Sequence, residues 1–391
     1  MAGRTRPPVS LAAGLELARG LEGRFASRLR DPGVAARLGI ALGLAFGVCF
    51  LTGLVSHFMQ HPPFGLAWPA RPVAFYRVTQ GLHVVTGVAT VPLLLAKFYA
   101  VYPRLFRWPP FRSLAHAAER GFVLVLVIGA LFQVVTGLLN IARWYPFAFN
   151  FTTTHYAVAW LLVGALVVHV AHQWRTVRDA VRVPLPSPDS GETLGRRQFL
   201  GLAAASSGLL ALVTAGQTVP GLRPFALLAP RRGDIGPQGV PVNKTAVSAG
   251  VAGRLRDPAY VLRVTGAVER ELVLDLDALR ALPQVRSWLA ITCVEGWSAD
   301  ATWEGIALRD LLDRAGARPD ARVRVESLQR GGAYRQSYVD PPHARDPLTL
   351  LALRVNGETL AADHGYPCRL IAPNRPGVLQ TKWVSVVEVL S

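Results

Sequence analysis

The chain has 391 residues, with 42 Lys and Arg against 25 Asp and Glu and a formal net charge of +17, yet only 17% of it is charged and 51% is hydrophobic. A mean hydropathy of +0.29 excludes a disordered chain and points to membrane segments. Three cysteines (Cys49, Cys293, Cys368) exclude a disulfide framework, and nucleic acid is excluded as a partner because the arginines cluster in short loops between apolar runs.

Five charge-free segments reach the roughly 20 residues that a bilayer requires. They are Leu38–Ser56, Val78–Ala96, Gly121–Ala142, Phe147–Trp174 and Gln198–Leu222. Trp68, Trp144, Tyr145 and Trp174 stand near the ends of the first four as interfacial anchors. Residues 1–37 carry seven arginines, residues 97–120 five Lys/Arg and residues 175–197 five arginines, whereas the alternate loops carry only Arg71, Arg77 and Arg143. The positive-inside rule therefore predicts a cytoplasmic N-terminus and a return to the cytoplasm after four helices.

The fifth segment opens with Gly195-Arg196-Arg197-Gln198-Phe199-Leu200 and follows a Pro/Ser linker at Pro184–Leu194. Two arginines here would serve as flanking charges in any case, but the run resembles a twin-arginine export signal placed internally. This reading makes 175–197 a cytoplasmic linker, 198–222 an uncleaved tether and 223–239 an external linker. An extracytoplasmic domain of mixed α+β pattern then occupies 240–391. Strands are expected at Tyr260–Thr265, Trp288–Thr292, Arg322–Leu328, Leu350–Val355, Arg369–Ile371 and Trp383–Val389. Helices are expected at Leu276–Leu282 and Leu308–Ala315, and Asn356-Gly357 is a hairpin turn signal.

Seven of nine histidines lie in or beside the first four helices: His57, His61, His83, His116, His155, His169 and His172. Imidazole within a membrane is costly and usually functional. Fourteen residues separate His155 from His169, about 21 Å of helix rise and within roughly 40° of one face. Residues 38–174 thus resemble the di-haem b-type cytochromes that anchor respiratory oxidoreductases. The resemblance implies an all-α four-helix bundle holding one or two haems b. His83 is the expected partner of His155, with His57 in competition. His116, placed just before the third helix, is the expected partner of His169, with His172 as its alternative. His57, His61 and His172 read equally as polar anchors at helix ends.

Trp288–Leu312 organises the external domain. A short apolar strand delivers Cys293 to its tip, where Val294-Glu295-Gly296-Trp297 turns away, followed by Trp303, Gly305 and leucines at helical spacing. From the residues alone, Cys293 is either a buried structural cysteine or a thiol placed to act on something outside the chain.

The run CVEGW, then W-x-G-x-x-L-x-x-LL, then Asn356-Gly357-Glu358, His364-Gly365-Tyr366-Pro367-Cys368-Arg369 and Lys382-Trp383-Val384, resembles the molybdopterin domain of the sulfite oxidase family. Within that family it is similar to the bacterial periplasmic methionine sulfoxide reductase branch. The resemblance implies a sulfite-oxidase-type domain with molybdenum-molybdopterin, Cys293 as the protein ligand to molybdenum, and Trp297, His364, Arg369 and Lys382 as cofactor-holding residues. Asn243 is a further, weaker match, Glu295 is a candidate proton relay, and Cys368 and Cys49 are read as packing. Arg330, Arg335 and Arg375 are candidates for the substrate mouth.

These readings imply a membrane-bound oxidoreductase. Quinol electrons would pass through haem to molybdenum, which reduces an S-oxide or N-oxide such as methionine sulfoxide, free or protein-bound. The expected partners are the quinone pool and the twin-arginine export machinery. No arginine follows Cys293 to hold sulfite, but a sulfite-type dehydrogenase running towards quinone is the alternative. A non-catalytic membrane haem protein with an external binding domain is another.

Overall fold

The structure is a computed structural model that describes residues 27–103, 113–185 and 195–391. Most of the N-terminal segment, Arg104, Arg107 and Arg112 of the second basic loop, and most of the Pro184–Leu194 linker lie outside the described residues.

Among the described residues, five helices are long and apolar enough to cross a membrane: α1 (Pro32–Gln60), α2 (Phe75–Val101), α3 (Leu114–Ala142), α4 (Phe151–Arg182) and α5 (Arg196–Ala215). The first four are longer than the charge-free runs because polar turns extend them beyond the apolar core. The Asn150 side chain accepts from the Thr153 N–H and caps α4. Ser113 Oγ accepts from the His116 N–H, so α3 begins seven residues before Gly121 and carries His116 in its first turn, not ahead of it. The fifth helix ends at Ala215, not Leu222, and Pro220–Phe225 forms a separate 3₁₀ segment, since Pro220 and Pro224 cannot sustain an α-helix.

The chain divides into two compact units. One contains 1–50, 86–140 and 145–211. Its described packing is small-to-large: Ala35, Leu38, Ala96, Ala100 and Ala203 form one buried cluster, and Leu42, Leu94, Ala130 and Leu162 another. The second unit contains 51–85, 141–144 and 212–391, and so includes the end of α1, the start of α2 and four residues around Arg143.

Residues 261–389 of the second unit form two five-stranded sheets. The first runs β2 (Leu272–Asp275), β1 (Val261–Gly266), β10 (Val384–Val389), β5 (Val323–Ser327), β6 (Gln336–Val339), with only β1 and β10 parallel. The second runs β3 (Val285–Thr292), β4 (Ser298–Ala307), β7 (Leu350–Val355), β8 (Glu358–Thr359), with β9 (Arg369–Ile371) also paired to β7. Two short helices, α6 (Leu276–Ala281) and α7 (Leu308–Ala315), accompany them, and α8 (Pro341–Ala344) follows β6. In α7, Leu308, Leu311, Leu312 and Ala315 are buried, and Gly316 ends it in the left-handed region at φ 71°. Each such leucine contributes about 1.5–3 kcal/mol by burial.

β4 is the longest strand and was not expected, because Ser298-Ala299-Asp300-Ala301 lacks strand propensity. Pairing on both sides, to β3 and to β7, supplies what propensity does not. Cys368 is fully buried in the core beside Leu370 and Val384.

Candidate active site

The site begins at the end of β3. Its pairing with β4 ends at Thr292 and Ser298, and a tight turn bridges them. The Cys293 N–H donates to Trp297 O (2.9 Å) and the Gly296 N–H to Cys293 O (3.0 Å). Gly296 has φ 91°, and a Cβ there would lie 2.6 Å from Val84 Cγ2. Glycine is thus required both for the turn and for its close approach to α2. Other groups fix the same loop: Gln80 Nε2 donates to Val294 O, Thr218 Oγ1 to Gly296 O, and the Ser298 N–H to Gln217 O.

Cys293 is 1% exposed. Burial, then the Glu295 charge, push its thiol up to about 12, while Arg231 and Arg143 oppose the shift. Glu295 itself is held on several sides. Its Oε1 lies 3.2 Å from Arg143 Nε, its Oε2 accepts from Trp297 Nε1 (3.1 Å), and Arg231 Nε lies 4.0 Å from Oε2.

Three successive carbonyls edge the site. Val242 O accepts from Arg231 Nη1 (2.6 Å), Asn243 O from Arg143 Nη2 (2.8 Å) and Lys244 O from Lys382 Nζ (2.9 Å). The Asn243 contact is therefore through its backbone. Lys382 Nζ also donates to Asp363 O (2.7 Å). Its pKa is well below the ordinary lysine value because of burial and the neighbouring Arg369 charge, against the opposing charges of Asp363 and then Cys293.

Arg369 is 3% exposed. Its Nη1 donates to His364 O (3.2 Å), and its guanidinium carbon lies 5.4 Å from the Trp303 ring centroid. Burial draws its pKa down to about 9. His364 is fully buried, with Nε2 2.7 Å from Pro237 O, and burial lowers it to about 4. Gly365 has φ 109°, and a Cβ there would be strained and tightly packed, 3.1 Å from Lys382 Cβ and 3.2 Å from Arg369 Cβ.

This arrangement suits an anionic cofactor with a soft metal. Arg369 Nε and His364 Nδ1 are buried without hydrogen-bond partners among the described residues. Neither Arg369 nor Lys382 has an ion-pair partner there, and both lean on carbonyl oxygens. A buried Arg369 that meets only a carbonyl, with the half-buried Lys382 close by, calls for a phosphate or similar anion. A thiol in the same unit supplies the soft donor once a metal displaces its proton.

Of the remaining sequence candidates, Arg330 and Arg335 are exposed and Arg375 is buried. His83 lies in α2 with Nδ1 3.4 Å from Thr52 Oγ1, and the His57 and His61 ring centroids are 5.1 Å apart. In the other unit, His155 and His169 lie on α4, where His155 Nδ1 is 2.9 Å from Thr136 Oγ1. His172 Nε2 is 3.1 Å from Glu119. Sequence reasoning missed Arg143, Arg231, Gln80 and Thr218. Arg143 carries a signal, as the one basic residue between α3 and α4, but in the sequence that signal is indistinguishable from a topogenic charge.

Residues 249–391 match the family described as the oxidoreductase molybdopterin binding domain. The YedZ1 protein of Azospira oryzae, provisionally named a protein-methionine-sulfoxide reductase subunit, is 34% identical over 131 residues, 34% of this chain and 49% of its own. The protein-methionine-sulfoxide reductase catalytic subunit MsrP of Gluconobacter oxydans is 34% identical over 146 residues, 34% of this chain and 47% of its own. The chain thus spans about half the length of these relatives. The solved sulfane dehydrogenase SoxCD of Paracoccus pantotrophus is 25% identical over 34% of this chain and 38% of its own, at a TM-score of 0.31, too partial a superposition to assign a fold. Residues 249–391 thus carry the match to a molybdopterin-binding oxidoreductase domain.

Proposed function

We propose that the protein is a membrane-bound reductase that passes electrons from quinol through b haems to molybdenum and reduces an S-oxide or N-oxide, methionine sulfoxide among them. The observation that carries the reading is the Cys293 turn: a buried thiol at a strand tip, in the same unit as the buried Arg369 and the half-buried Lys382, neither with an ion pair among the described residues. Bound molybdopterin supplies two-electron oxygen-atom transfer.

The chain's own residues have separable tasks in this reading. Cys293 is the protein ligand to the metal. Arg369 and Lys382 hold the anionic part of the cofactor, and His364, neutral near pH 7, completes its polar contacts. Trp297 closes the turn. Asn243 contributes its carbonyl to the clamp described above. Glu295 is a positioning residue, since its carboxylate oxygens are engaged by Arg143, Arg231 and Trp297. One carboxylate balances only one of these two arginine charges. No arginine directly follows Cys293 in the turn, which favours the reductase over the sulfite-type dehydrogenase.

The electron supply in this reading is the helical segment, with His83 or His57 and His155 as ligands of an outer haem and His169 with His116 as ligands of an inner one. The N-terminus is cytoplasmic, the catalytic domain is extracytoplasmic, and Arg196-Arg197 direct its export as a folded unit. A single-turnover experiment on the full-length protein tests the scheme. The haems are reduced anaerobically with limiting dithionite, and methionine sulfoxide is then added while the haem α-band is followed. Reoxidation in the parent and its loss in Cys293→Ala are expected. A band that stays reduced with the sulfoxide, while sulfite reduces the oxidised protein, would reverse the assigned direction.

A further inference from the structure

The second unit holds a chamber of about 390 Å³, a volume that suits a small molecule. One wall comes from the end of α1 and the segment after it, through Met59, Gln60, Pro62 and Trp68. The other comes from the catalytic domain, through Tyr334, Tyr338, His343 and Arg375. Pro376 ties the chamber to the Cys293 turn, because it lines the chamber and pairs with Thr292, the residue before Cys293. The Tyr334 hydroxyl donates across the chamber to Gln60 Oε1 at 3.4 Å.

The charge of this lining does not balance. Arg322 and Asp340 pair at 2.9 Å, and Arg322 stacks over Tyr338. Arg375, only 7% exposed, donates from Nε to Leu379 O (3.1 Å) and from Nη2 to Tyr338 O (2.6 Å). Those acceptors are carbonyls, which do not cancel a full charge in a dry site. His343, 4% exposed, adds an Nε2 with no hydrogen-bond partner among the described residues. Met59, Pro62, Trp68 and Leu379 give the same chamber an apolar side.

We propose that this chamber is the substrate site of the reductase read above, on which this inference rests, and that it selects small S- or N-oxides bearing a negatively charged group. The anionic end sits on Arg375, and the apolar substituents lie against Met59 and Trp68. Selectivity for charge thus comes from Arg375, whose acceptors in the chamber wall are carbonyls, whereas the arginines at the Cys293 turn face Glu295. The membrane segment contributes directly to specificity.

The test is equilibrium binding to the full-length holoprotein in detergent, with two non-reducible probes of matched shape: N-acetylmethionine sulfone and its neutral methyl ester. The acid is expected to bind about ten- to hundredfold tighter than the ester, and Arg375→Gln to erase that preference while leaving ester binding unchanged. Arg375→Lys, which keeps the charge, covers the case in which the glutamine variant does not fold, and should retain a reduced preference. Ala333→Trp, at an exposed position of the lining, should weaken both probes at least tenfold. Equal binding of acid and ester by the parent, or a preference that survives Arg375→Gln, would overturn the proposal. Sulfite is the second arm. If sulfite and not the acid shows the Arg375 dependence, the chamber selects sulfur oxyanions and the S-oxide assignment fails. Charge-selective binding without turnover of either sulfoxide would sink the reductase reading while leaving the chamber's selectivity intact. Turnover of acid and ester sulfoxides at equal efficiency would do the reverse.

Discussion

Arg143 reaches in two directions at once: its Nε lies 3.2 Å from Glu295 Oε1 while its Nη2 donates to Asn243 O at 2.8 Å. Arg231 repeats the pattern, with Nη1 on Val242 O and Nε 4.0 Å from Glu295 Oε2. Two arginines thus strap the turn that carries Cys293 to the segment whose next carbonyl, Lys244 O, holds Lys382. The Cys293 turn and the cationic cluster are positioned by one connected set of hydrogen bonds, and one of its straps comes from the link between α3 and α4.

Breaking that strap is expected to loosen the cofactor more than the fold. Arg143 is 35% exposed on its side chain, so the pair is partly screened and worth about 1 kcal/mol to stability. Arg143→Gln and Glu295→Gln should each reduce retained molybdenum, and the double variant should lose no more than the worse single one. A double-mutant cycle on metal content and on unfolding midpoint checks this. Strictly additive losses would mean that Arg143 and Glu295 act separately.

Much of this site is visible in the sequence, and the reason is local. Cys293, Trp297, His364, Arg369 and Lys382 belong to short motifs whose spacing survives folding, and β7 (Leu350–Val355), β9 (Arg369–Ile371) and α7 (Leu308–Ala315) have the expected bounds. The clamp is not visible. Arg143 lies about 150 residues from Glu295 in the chain, and nothing in its neighbourhood distinguishes a topogenic charge from a structural one. The chamber is hidden for the same reason, since Gln60 and Tyr334 meet across a separation of 274 residues. β4 was missed on propensity, because its pairing on both sides is a tertiary effect.

Gly296→Ala should be harmful for two reasons that can be separated. The φ of 91° costs any Cβ-bearing residue about 1–3 kcal/mol, and the new methyl would collide with Val84 Cγ2. Val84→Ala removes the collision but not the backbone strain. In thermal unfolding the double variant should be more stable than the sum of the single losses predicts, yet remain below the parent. Additivity would mean that the turn moves away from α2 at no cost.

Acid should destabilise the catalytic domain through His343. Burial, and then the Arg375 charge, lower its folded pKa to about 4 from an ordinary value of 6.5. Between those values the unfolded state binds the additional proton, so stability is full above pH 6.5 and falls as pH drops towards 4. His364, also lowered to about 4, has the same sign. His343→Gln should flatten the dependence of the unfolding midpoint over this window, removing a loss on the order of a few kcal/mol. An unchanged slope would show that His343 carries none of it.

The proposed haem ligation makes a prediction about a residue that is not itself a ligand. Thr136 Oγ1 lies 2.9 Å from His155 Nδ1, and Gln133 Nε2 donates to His155 O at 2.7 Å. A hydrogen bond at Nδ1 fixes both the tautomer and the ring plane of an imidazole that binds metal through its other nitrogen. If His155 is an axial ligand, His155→Ala should abolish one haem in a pyridine haemochrome assay. Thr136→Val should retain that haem with about 10- to 100-fold weaker affinity and an altered α-band or potential. Thr136→Ser, which keeps the hydroxyl, should restore the parent spectrum. Full haem content and an unshifted potential in Thr136→Val would assign the threonine to packing, and full haem content in His155→Ala would remove this histidine from the electron path altogether.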